Sequence, residues 1–217
     1  MIYGDVKSQL DGVFNRTIET GVSFVQHFPS TKITGSGKSI GDLKSTAIAL
    51  RNISYKLIYK ELDENDQFHI KLPDGGLMLF QYEFGQDDKL TKHRLAYFPS
   101  PKLPTVEEAP ELYASDEIYG DILLDQIVRF PVRFDFDPRN YKPVFHPHSH
   151  LTLGQYENCR IPVSSALTPI NFLRFILRNF YHRLYKKHMN KFEMRLNRCE
   201  ATRCITENEK SLLHMAI

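Results

Sequence analysis

Arg129-Phe130-Pro131-Val132-Arg133-Phe134-Asp135-Phe136-Asp137 is the most decisive stretch of the chain: its even positions are apolar and its odd positions, Pro131 apart, are polar. A period of two is that of a strand with one face on a core and the other open to polar neighbours. Working backward, Phe68 to Leu72, Leu77 to Phe84 and His93 to Phe98 read as three more strands. They are joined by Pro73-Asp74-Gly75-Gly76 and by Gly85-Gln86-Asp87-Asp88, turn sequences that make hairpins and hence antiparallel pairs. Working forward, further strands are expected at about Phe145 to Leu153 and Glu157 to Val163, separated by Gly154-Gln155-Tyr156.

Helices flank these strands. Leu10, Val13, Phe14, Ile18, Val22 and Val25 are spaced closer to 3.6 than to 2, which predicts a helix over about Val6 to His27, weakened by Gly12 and Gly21. Thr168-Pro169 supplies an N-cap and a first-turn proline, and Phe172, Phe175, Ile176, Phe180, Leu184, Met189 and Phe192 then recur at helical steps. The expected fold is α+β. A single domain over 1–217 comprises an N-terminal helix within 1–30, an antiparallel sheet of about six strands over 53–165, a long basic helix over 169–198 and a tail over 199–217. Val106 to Asp125 reads as an acidic surface excursion.

Composition narrows the class. The chain has 217 residues, enough for one sizeable core, and its 41% hydrophobic and 25% charged content is that of an ordinary globular protein. Cys159, Cys199 and Cys204 lack CxxC spacing and read as reduced thiols; Cys159, alternating with Ile161 and Val163, is expected on the core side. No basic n-region precedes an apolar run, and no stretch approaches the roughly 18 apolar residues of a membrane span, so no membrane association and a cytoplasmic address are expected.

Net charge is +2 but unevenly spread. From 171 to 198 there are eight basic residues, Arg174, Arg178, Arg183, Lys186, Lys187, Lys191, Arg195 and Arg198, against the single acid Glu193, a local +7. Such a surface suits nucleic acid, with Tyr181 and Tyr185 as stacking surfaces, or an acidic protein partner; a charge run is also compatible with a simply solvated face.

Gly35-Ser36-Gly37-Lys38-Ser39 looks like the end of a phosphate-binding loop, but the glycine required five positions earlier is Lys32 and no strand precedes it; a flexible linker is the reading. His146-Pro147-His148-Ser149-His150 is the unusual cluster. On a strand its imidazoles share a face with Thr152. Centring the 138–143 loop sets Arg133 opposite His148 and Asp135 opposite His146; a three-residue turn at 154–156 sets Arg160 opposite His150. Gln81, Glu83 and His93 would extend this face.

Arginines bind phosphoryl oxygens and histidines move protons near neutral pH, so His148, His150, Arg133, Arg160 and Asp135 suit phosphodiester chemistry. His146, His148 and His150 with a carboxylate would equally suit a divalent metal, so the expected cofactor is none or such a metal. A surface ion pair and an interface are the structural alternatives. His150-Leu151-Thr152 also resembles the His-x-Thr of two-histidine phosphoesterases, but the second such motif that family needs is missing.

Arg133-Phe134-Asp135, His146 through Thr152, Cys159-Arg160-Ile161-Pro162-Val163, Pro169, Phe172 and Phe180-Tyr181, with Asp74-Gly75, His93-Arg94-Leu95, Tyr97 and Pro99, resemble a bacterial family of unknown function over most of the chain. The resemblance implies a bacterial protein and assigns no activity. By analogy, small bacterial proteins of this kind often look like members of toxin–antitoxin or phage-defence loci. The expected function is a nucleic-acid-directed phosphodiesterase or nuclease. The alternative is a non-catalytic member of a multi-protein complex, binding a protein or nucleic-acid partner through the basic helix.

Overall fold

The computed structural model describes residues 1–42, 53–102 and 130–217, apart from 157, 194, 195, 197, 198 and 202. The excursion expected at Val106 to Asp125 lies outside the described residues.

Helix α1 (Tyr3–Glu19) buries Val6, Leu10, Val13 and Phe14. It stops well before His27 because Gly21 adopts a positive φ of 67°. Gly21 N–H donates to Ile18 O and Val22 N–H to Thr17 O, the paired bonds of a Schellman cap. The chain then enters strand β1 (Val25–Gln26). Gly35 to Ser39, read as a flexible linker, instead lie in a hairpin of β2 (Thr31–Thr34) and β3 (Gly37–Ile40) turning at Gly35-Ser36. The Gly-Lys-Ser run therefore sits between antiparallel strands, a context unlike that of a phosphate-binding loop.

Helix α2 (Tyr55–Glu64) lies inside the 53–165 range expected to be sheet; its buried side chains Ile58, Tyr59 and Leu62 follow helical spacing. Strands β4 (Ile70–Lys71), β5 (Leu77–Phe84), β6 (Leu90–Phe98), β7 (Val132–Phe136), β8 (Ser149–Leu153) and β9 (Ile161–Pro162) follow, with a 3-10 turn at Pro138–Asn140. Among the described residues there are thus nine strands, against the about six expected. They form one antiparallel sheet in the order β1-β4-β5-β6-β7-β8-β9, in which β3 pairs with the second half of β5 and β2 lies outside β3.

The expected single long helix is two, α3 (Pro169–Phe180) and α4 (His182–Glu193). As anticipated, the Thr168 hydroxyl accepts from Asn171 N and Pro169 opens the helix. The break falls at Tyr181 (φ −129°, ψ 48°), which is neither glycine nor proline. Its cause is tertiary: the Tyr181 hydroxyl donates to Asp74 Oδ2 at 2.8 Å and meets the Tyr97 hydroxyl at 2.7 Å. Gly76 is required beside them, since a Cβ there would lie 2.6 Å from the Tyr181 oxygen. After α4 the tail packs back through bridges Ser165 to Arg203 and Val163 to Met215, with a short helix α5 (Glu207–Lys210) opened by a Thr206/Glu209 capping box.

Two cores follow from strand alternation. On one face Met78, Phe80, Tyr82, Leu95, Phe134 and Leu151 pack against α1, α3 and α4. On the other, Leu77, Leu79, Ala96 and Phe98 pack against α2. Beyond those residues the second face turns polar. Among the described residues no helix is long and apolar enough to cross a membrane.

Candidate functional site

The polar part of the second face is a row of cross-strand neighbours, Gln81, Arg94, Asp135 and His150, contributed by β5, β6, β7 and β8. Asp135 is its centre. Arg94 Nε donates to Oδ1 at 2.9 Å and Arg133 Nε to Oδ2 at 2.5 Å, while His150 Nε2 stands 3.9 Å from Oδ2. Burial would raise the Asp135 carboxyl, but Arg133 and then Arg94 outweigh it and hold it at about 2. His150 is only 3% exposed, and its Nδ1 lies 3.2 Å from Pro147 O. Burial lowers its pKa against the pull of Asp135.

The expected registers are corrected by this ladder. Arg133 faces Thr152 and Asp135 faces His150, four residues from the expected pairing; Pro162 faces His150, two from it. The reason is the loop: Lys142 and His146 bridge each other inside it, so β8 begins at Ser149 rather than near Phe145. Both slips are even, so each side chain stays on its expected face. Gln81 and Glu83 extend that face as expected. His93 does not: it pairs with Tyr82 and Phe136, lies 1% exposed on the helix side, and its Nε2 accepts Leu167 N–H at 2.9 Å.

The structure divides the five anticipated residues. Arg133 and His150 join the half-buried Arg94 around the buried Asp135 carboxylate. Arg160 lines a separate cleft of about 660 Å³ with His146, Lys142, Asn140, Asn158 and Phe145. His148 stands between the two groups, its ring stacked on Tyr141 with centroids 3.9 Å apart. One contact links the groups: the rings of His146 and His150 meet edge to face at 4.8 Å. Burial, then the charge of Arg160, lowers the pKa of His146.

Two features mark the cleft as costly to maintain. The Nδ1 atoms of His146 and His148 are buried and have no hydrogen-bond partner among the described residues, which costs about 1–3 kcal/mol for each. Val144 holds a positive φ of 67°, a left-handed conformation that is strained for a β-branched side chain by about 1–3 kcal/mol.

A metal does not fit the three histidines. Both Asp135 oxygens are already committed to guanidinium groups, both His150 nitrogens face Asp135 or Pro147 O, and His148 is stacked on Tyr141. Among the described residues no group of three His, Cys, Asp or Glu side chains is arranged to hold one.

The cysteines are free thiols; burial pushes Cys199 and Cys204 up to about 11, and the half-buried Cys159 Sγ accepts Leu153 N–H at 3.4 Å. On α3 and α4, Arg178, Arg183, Lys186 and Lys187 are exposed. Arg174 instead donates to Phe192 O at 2.8 Å, and Lys191 pairs with Glu19 at 3.2 Å. Met189 and Phe180, expected in the core, are 47% and 41% exposed.

Sequence reading did not assign Arg94, Lys142, Asn140 or Asn158 to the site. Arg94 could have been found, because it alternates with Leu95 just as Asp135 alternates with Phe134. The loop residues carry no periodic signal.

Fold and site together define an α+β protein whose antiparallel sheet is covered by helices on one face and carries a histidine, arginine and aspartate row on the other. A family model described as an uncharacterized conserved protein, DUF2290, matches residues 21–217, and the chain belongs to that family. Searches of curated proteins and of solved structures each give no match.

Proposed function

We propose that the chain acts on nucleic acid, holding a single strand at the His146 and Arg160 cleft and cleaving a phosphodiester there. The observation that carries this reading is the convergence of His146, Arg160, Lys142 and the 80% exposed Phe145 on one loop cleft. Lys142 and Arg160 supply charge for phosphoryl oxygens, and Phe145 offers the kind of ring on which a base stacks. His146, neutral at neutral pH because burial and Arg160 depress its pKa, takes the proton of an attacking hydroxyl. That proton then passes to the leaving oxygen as the phosphorus–oxygen bond breaks. The Asp135 row positions His150 behind His146 and stays out of contact with the substrate.

The test incubates the purified chain with labelled single-stranded RNA and DNA, with and without chelator. Cleavage that persists in chelator and vanishes in His146→Ala, with binding lost in Arg160→Glu, is expected. A chain that binds neither nucleic acid overturns the reading. A second reading, a binding subunit, rests on the exposed Arg178, Arg183, Lys186 and Lys187; binding that survives Arg160→Glu and fails on reversal of those cations would favour it.

A further inference from the structure

A second cleft, of about 430 Å³, lies between the β2–β3 hairpin and the polar face of β5 and β6. Its walls follow from strand register. Lys32 pairs with Ser39, Ser39 with Glu83, and Glu83 with Lys92, so four side chains line up across four strands on one face. Gln81 and Arg94 form the neighbouring cross-strand pair, and Arg139 reaches in from the 3-10 turn.

Charge decides what such a space would take. Lys32, Lys92 and Arg139 face Asp42 and Glu83, three cations against two acids, while Arg94, also in the lining, is spent on Asp135. Lys38 also borders the cleft but spends its ammonium on Asp88 at 2.7 Å, above the Tyr3 ring. Lys92 is only loosely paired, 3.8 Å from Glu83 and 3.9 Å from Asp137, so an incoming dianion competes with distant partners. Hydroxyl and amide donors such as Ser39 and Gln81 complete a lining suited to oxygen-rich ligands.

We propose that this cleft binds a phosphomonoester on a polar body of mononucleotide size. Phosphate oxygens bind Lys32, Lys92 and Arg139, and sugar hydroxyls bind Gln81 and Glu83. The site is separate from the His146 cleft. Among the described residues only the 3-10 turn borders both, Arg139 on one side and Asn140 on the other. The same chemistry has two sources, a free mononucleotide or the 5′-phosphate end of a strand.

Calorimetric titration with a 5′-mononucleotide and its nucleoside, beside competition between 5′-phosphorylated and 5′-hydroxyl oligonucleotides, tests the proposal and separates the sources. In at least one pair the phosphorylated member binds about tenfold more tightly. Lys32→Glu removes that preference while Arg160→Glu leaves it, which separates this site from the proposed strand site. Lys32 is an exposed residue of β2, so its variant keeps the fold, as an unchanged thermal midpoint will verify. Lys92→Gln gives the same loss without reversing charge. Equal binding within both pairs, or a phosphate preference indifferent to Lys32 and Lys92, overturns the proposal.

Discussion

Two rows of side chains run across the middle of the sheet back to back. Phe80, Leu95, Phe134 and Leu151 point to the helices; their immediate chain neighbours Gln81, Arg94, Asp135 and His150 point the other way. The first row is held by burial of apolar surface, in which each large side chain contributes about 1.5–3 kcal/mol. The second is buried only at its centre, with Asp135 7% and His150 3% exposed and Gln81 and Arg94 half-buried, and is held by charge and hydrogen-bond complementarity. Such a row tolerates loss badly, because each partner removed leaves another buried and uncompensated.

The comparison can be broken by paired substitutions. Phe134→Ala should cost about 3–5 kcal/mol through the cavity it leaves. Asp135→Ala should cost a similar amount, about 3–5 kcal/mol, because Arg94 and Arg133 lose their shared carboxylate. Denaturant titration of both variants checks this; a cost below about 1 kcal/mol for Asp135→Ala would reduce the row to a surface ion pair.

A smaller effect concerns pH. Burial drives His69 to about 3 and His93 to about 4; each imidazole accepts a backbone N–H, from Phe80 and Leu167 respectively. Both folded values lie below the unfolded value of 6.5, so their contribution to stability is complete above that pH and is lost as pH falls from 6.5 toward about 4 for His93 and about 3 for His69. The loss should be about 1.4 kcal/mol per pH unit for each imidazole, read from denaturation midpoints, and His93→Gln should flatten the slope.

The row and the cleft should separate next. His150→Ala should cost about 1–3 kcal/mol, since it strips a partner from a buried network. His146→Ala should abolish cleavage without lowering stability, since the substitution removes a buried Nδ1 that has no partner among the described residues. The acid limb of the wild-type rate profile should fall below the ordinary histidine range, because His146 must be neutral to act. Reversing Arg178, Lys186 and Lys187 to Glu should have the smallest effect, lowering the salt dependence of binding without preventing it.

Legibility in the sequence divides along the same physical line. Alternation in 129–137 reveals which residue faces which way, and every member of the Asp135 row lies on the face its position implies. Register is another matter, because it depends on how much of 137–148 the loop consumes, and the bridge between Lys142 and His146 inside that loop has no periodic signature. The β2–β3 hairpin was hidden because all four residues of β2 are exposed, leaving no apolar alternation to read. Helix α2 is legible in the helical spacing of Ile58, Tyr59 and Leu62, although the strand-rich sequence after it draws the whole of 53–165 into the expected sheet. The break at Tyr181 was not legible, since it is imposed by Asp74 and Tyr97, residues about a hundred and about eighty positions away.

The measurement that bears most directly on the central claim is a hydrogen-exchange footprint of the full chain with a bound single-stranded oligonucleotide. The polar face and its cleft, if they are the nucleic-acid site, gain protection at 139–148 and 158–160, and Arg160→Glu erases it. Protection confined to 178–187 on α3 and α4, with 139–148 unchanged, would contradict the account and move the contact to the basic helices.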